Sequence, residues 1–205
     1  MSLVFLNDRA VRSATAVGSL NTGSMVFIKK LTASSSATLS FVDGTSDVVL
    51  DSTYKEYIFT FKNIHPATDN VEFTFQVNAA GGSGFNETMT TTCFDSDNSE
   101  ASGGGGSAYR SGRDQAQGTS YQQICDDVGN DADQCCNGVL TLFNPSSTTF
   151  VKHFISRFQG AHEGDYAQEW YHAGYINTTS AIDEISFKFS SGNIDAGDIC
   201  LYGIL

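Results

Sequence analysis

A chain of 205 residues with 40% hydrophobic and 12% aromatic side chains carries enough apolar mass for one good-sized folded domain, which excludes a disordered polypeptide. Its 23 acidic residues against 11 basic ones leave a formal charge of −12, which argues against nucleic acid and against an anionic membrane surface as partners. No run approaches the ~20 apolar residues that a membrane-spanning helix needs.

The opening MSLVFLNDRAVRS has a short apolar run that Asn7 and Asp8 break, so it lacks a secretory signal core, and synthesis in a cytoplasm without export is expected. Residues 1–23 are small, weakly apolar and lightly basic, and they read as an N-terminal arm ahead of a main domain at 24–205. The arm is either a strand plus loop or a segment that crosses onto a partner subunit, with Arg9 and Arg12 as docking contacts. From Met25 the pattern becomes a run of strands: Met25 to Leu31, Ala37 to Val42, and Asp47 to Leu50 after the turn signal Asp43-Gly44-Thr45.

The strongest pair follows. Tyr57, Phe59 and Phe61 alternate with Glu56, Thr60 and Lys62, while Val71, Phe73, Phe75 and Val77 alternate with Glu72, Thr74, Gln76 and Asn78. Period 2 of this kind marks strands with one buried face. Two such aromatic faces need a second sheet to cover them, which predicts a sandwich. Residues 79–134 break the pattern. Apart from a threonine-rich strand at Glu87 to Phe94 and a short one at Thr119 to Cys125, they read as a glycine-rich, loop-rich insertion. Regular strands return at Gly138 to Phe143, Thr149 to Phe158 and Asp165 to Ile176, then at Ile185 to Phe189 and Ile199 to Leu205. The sequence therefore predicts an all-β antiparallel sandwich, jelly-roll-like, with a long insertion and an arm.

Catalytic signatures are absent. The glycine run at 103–106 is not followed by the Lys-Ser/Thr of a phosphate loop, and no G-x-S-x-G surrounds Ser83 or Ser107. His162-Glu163 lacks the second histidine of a zinc-protease motif. Asp95 to Glu100 imitates a calcium loop without its turn glycine or terminal glutamate, and Asp126, Asp127, Asp131 and Asp133 read more simply as a solvated acidic loop. No metal or cofactor is expected. Among the five cysteines, zinc spacings are missing, Cys200 reads as a small buried apolar residue, and a Cys125–Cys135 or Cys125–Cys136 bridge stays open. His65 and His153 read as structural.

One cluster has binding character. Asp165, Glu169, Trp170, Tyr171 and Tyr175, with His162, Glu163 and His172 near them, combine aromatic rings with carboxylates, which suits stacking on sugar rings. On a strand, Trp170 and His172 point one way and Glu169 and Tyr171 the other, so core packing with polar tips is the plainer reading.

The closing stretch Ile182 to Leu205, IDEISFKFSSGNIDAGDICLYGIL, has an amphipathic strand, a Ser-Gly-Asn turn and a second strand running to Leu205. With the aromatic block Ser52 to Phe75, it resembles small virion proteins of tailed, often marine, bacteriophages. That resemblance implies a β-sandwich component of a virus particle, a head decoration or fibre protein that self-assembles as a trimer and docks on capsid or tail proteins. It supplies no active site. Leu205 and the apolar strand before it then belong in a sheet or against a neighbour. A host surface glycan is the alternative partner.

Overall fold

The computed structural model describes residues 24–101 and 104–205. The arm, with Arg9 and Arg12, lies outside the described residues. The described chain contains no helix and forms thirteen antiparallel strands. These are β1 (Met25–Thr32), β2 (Leu39–Val42), β3 (Glu56–Pro66), β4 (Val71–Ala79), β5 (Met89–Ser99), β6 (Gly105–Tyr109), β7 (Ala116–Gly118), β8 (Gln122–Val128), β9 (Cys136–Phe143), β10 (Lys152–His162), β11 (Tyr166–Ile176), β12 (Ile182–Phe189) and β13 (Ile194–Ile204).

Two layers emerge from the pairing. The larger runs β1-β13-β3-β9-β10-β11-β5, with β6 and β7 both on the far side of β5. The smaller runs β8-β4-β12-β2. Only one bridge, His162 to Val128, joins β10 to β8, so the ladder turns a corner there and the sandwich is nearly closed, like a barrel.

Phenylalanines fill the space between the layers. Phe59 and Phe61 of β3 and Phe154 and Phe158 of β10 face Phe73 and Phe75 of β4, Phe187 of β12 and Phe41 of β2, all at most 4% exposed. Their rings meet mainly edge-to-face or tilted, as in Phe61–Phe187 at 5.0 Å and Phe75–Phe154 at 4.9 Å. Such contacts add about 0.5–1.5 kcal/mol per pair beyond the area buried. The alternation read at residues 57–61 and 71–77 thus places every one of those rings inward.

Backbone geometry explains three departures from the predicted elements. Asp47 to Leu50 forms no strand: Ser46 and Asp47 have positive φ, and Val48 donates back to the Thr45 carbonyl. Residues 79–134 are nearly half strand, more than the predicted two short strands. The threonine-rich run extends to Ser99 and pairs along all of β11, because Thr and Cys on a pleated surface suit a strand buried on one side. The glycine-rich stretch is drawn onto β5 as β6, with Phe94 opposite Tyr109 and Asn98 opposite Gly105. Finally, β13 begins at Ile194 and threads between β1 and β3, so the apolar close of the chain is internal to the larger sheet. Leu205 itself is 72% exposed, its N–H donating to the Ser24 carbonyl.

Candidate functional site

The predicted cluster on β11 divides between the two faces of that strand. Trp170 and His172 point inward and are 3% exposed, while Glu169 and Tyr171 point outward. The Trp170 indole N–H donates to Gln168 Oε1 at 2.9 Å, and the ring lies 6.1 Å from the His172 ring. Trp170 therefore offers no surface for stacking a sugar. Asp165 sits in the β10–β11 turn with φ of 62°, away from Tyr175 at the far end of the strand. The five residues read together as a sugar site do not converge.

On the outer face, Tyr171 stacks on Phe94 of β5 with centroids 4.6 Å apart and planes 9° apart. The Arg157 guanidinium covers the same tyrosine ring 5.5 Å from its centroid, and its Nε–H donates to Glu169. That bond holds the Glu169 carboxyl below its ordinary range. The Arg157–Tyr171–Phe94 row follows from register, since Arg157 is opposite Tyr171 and Tyr171 opposite Phe94. Both faces of Tyr171 are consumed by neighbours, which leaves ring edges rather than a flat platform.

Inside the same end of the larger sheet lies a polar cleft that composition alone did not single out as one place. Asp95, Asp97, Arg110, Arg113, Asp126, Asp127, His162, Gln168 and Trp170 line about 220 Å³. The two arginines come from the turn between β6 and β7. Arg110 Nε–H donates to Asp95 at 2.8 Å, and its Nη2 lies 3.6 Å from Asp97. Arg113 touches Asp126 and approaches Glu72 and Asp127 at 3.9 and 3.8 Å. The glycine-rich segment is thereby pinned to β5, β4 and β8 by two forks of charge.

Burial dominates the electrostatics of this cleft and of the core beside it. Asp126 is 2% exposed, and burial, with the Asp127 charge behind it, pushes its carboxyl up to about 7 in spite of Arg113. His172, whose two ring nitrogens have no hydrogen-bond partner, is held down at about 4 by burial alone. Burial also pushes the Cys93 thiol up to about 12.

Glu72, Asp126 and Asp127 place three carboxylate oxygens within 4.8 Å of one another, a spacing that suits a cation. Arg113 already stands among them, so the cation of this cluster is a side chain. For acid–base work the cleft has a carboxyl of suitable range in Asp126, yet that group is enclosed and tied to Arg113. The remaining predicted calcium ligands separate. Asp131 turns back to Gln134 through its carbonyl and also meets His65 Nε2, while Asp133 is exposed.

All five cysteines are free thiols. Cys125 and Cys136 lie together beneath Gly160, whose missing side chain makes the room. A Cβ there would lie 2.7 Å from Cys125 Sγ and 3.7 Å from Cys136 Cβ.

The chain matches no protein-family model, no curated protein and no solved structure.

Proposed function

We propose that this chain is a non-enzymatic structural protein of a tailed-phage particle, an outer decoration or fibre component that assembles with its own copies and with capsid or tail proteins. The observation that carries the reading is the outer face of the larger sheet. Phe27, Phe94, Tyr109, Val139 and Ile155 stand 41–58% exposed on it, on a chain whose charge of −12 otherwise keeps it solvated and apart. The ionic groups with catalytic potential are clamped to one another instead, as Arg110 and Arg113 are to Asp95 and Asp126. Glycan recognition loses support from the burial of Trp170 and the covered faces of Tyr171.

Mass spectrometry of purified particles from the source lysate, with copy number per particle, tests the proposal. Hundreds of copies mark a head decoration, and a few to a few dozen mark a tail or fibre component. Absence from particles overturns it.

A further inference from the structure

The register of the larger sheet determines what its outer face presents. One row crosses seven strands as Phe27, Tyr202, Ile58, Thr141, Ile155, Ala173 and Thr92. The adjacent row carries Val139, Arg157, Tyr171, Phe94 and Tyr109. On the outer face of β9, β10, β11 and β5 the charged groups are Arg157 and Glu169, which pair with each other, and further along the sheet Lys30 pairs with Asp198 at 3.3 Å. A chain of net charge −12 therefore has one broad face on which a second copy meets no net repulsion.

The same face is both recessed and raised. Between β9, β10, β11 and β5 lies an apolar groove of about 460 Å³, lined by Phe143, His153, Ile155, Ala173, Tyr175 and Thr90. It exists because Ala173 is small where its cross-strand neighbours Ile155 and Thr92 are larger. Ile155, 55% exposed, rises at its rim. A raised apolar group beside a groove of matching chemistry is what a two-fold, self-complementary contact needs: each copy fills the other's recess.

The area is also adequate. The exposed parts of Phe94, Val139 and Ile155, with Tyr109 of the adjacent β6, amount to roughly 400 Å², at about 200 Å² per large side chain. That is the apolar centre expected of a stable interface burying about 800 Å² on each partner.

We infer that the outer face of the β9-β10-β11-β5 region packs against the same face of a second copy of this chain, sheet on sheet, about a two-fold axis. The inference rests on the self-assembly reading above and names its interface. It differs from the three-fold arrangement that the resemblance implies. The rest of each surface keeps the negative charge, so screening should tighten the pair.

Sedimentation velocity of the full chain over a wide concentration range tests this, with Thr92→Glu, Ile155→Glu and a control, Thr45→Glu, in the turn after β2 on the other layer. Thr92 is exposed and polar already, so its substitution leaves folding intact. The expected result is a dimer that tightens with added salt, is weakened at least tenfold by either face variant, and is unchanged by the control. A monomer at all concentrations overturns the inference. So does an oligomer of any order that ignores both face variants, although self-assembly itself would then stand. A dimer with the expected variant behaviour, from a chain absent from particles, upholds the interface and overturns the virion reading alone.

Discussion

His172 offers the sharpest test of the interior. Its imidazole is 3% exposed, neither ring nitrogen has a partner, and burial holds it down at about 4. In the unfolded chain the same group titrates near 6.5. Between those values the unfolded state binds a proton that the folded state refuses, so this group's contribution to stability falls as pH drops from 6.5 towards 4. At pH 5 the loss is about 2 kcal/mol, being 1.5 pH units at ~1.36 kcal/mol each. His172→Leu keeps the apolar volume between Trp170 and Cys93 and removes both the titration and the unmet hydrogen-bonding atoms, the latter worth about 1–3 kcal/mol at any pH. Urea unfolding at pH 7.5, 6.5, 5.5 and 5.0 measures the difference. The variant should be the more stable at pH 7.5, and its advantage should widen by about 2 kcal/mol by pH 5.0, at constant m-value. An advantage that stays constant with pH, or shrinks as acid is added, refutes the reasoning.

Asp126 acts with the opposite sign. A carboxyl raised to about 7 from an ordinary 3.8 makes the folded state the better proton binder, so its contribution grows as pH falls from 7 to about 4. Asp126→Asn should stabilise the fold most above pH 7, by up to about 4 kcal/mol of charge-burial penalty removed, read as a higher thermal midpoint, and the gap to the parent chain should close towards pH 4. A gap independent of pH would show that Asp126 is ionised throughout. Because the His172 and Asp126 slopes oppose one another between pH 4 and 6.5, the parent chain should show a flat profile there, and each variant should uncover the other's slope. Gly160→Ala puts a methyl group 2.7 Å from Cys125 Sγ and should cost about 1–3 kcal/mol. Adding Cys125→Ala should recover much of that loss in a double-mutant cycle; strictly additive costs would place the strain elsewhere.

Period-2 alternation is a local property, so the sequence alone determined the all-β class and the inward faces of β3, β4 and β12, with Phe59, Phe61, Phe73, Phe75 and Phe187 at their positions. The same rule separated Trp170 and His172 from Glu169 and Tyr171, because neighbours on a strand point to opposite sides whatever they pack against. It left the apolar close of the chain to a sheet or a neighbour, and pairing with β1 and β3 put it in the sheet. Local pattern is silent about partners. The glycine-rich run looked solvated because its side chains are small and polar, yet β5 supplies it with backbone hydrogen bonds and Asp95 and Asp126 supply counter-ions for Arg110 and Arg113. Carboxylates 31 residues apart in sequence, read as two separate acidic loops, line one cleft only because β11 and β8 bring their strands to one end of the sandwich. The neutral outer face is likewise a product of register: Arg157 of β10 meets Glu169 of β11, and Lys30 of β1 meets Asp198 of β13, which also stands opposite Lys62 of β3. Alternation tells each side chain which way to point, and long-range strand pairing alone decides which other side chains it finds there.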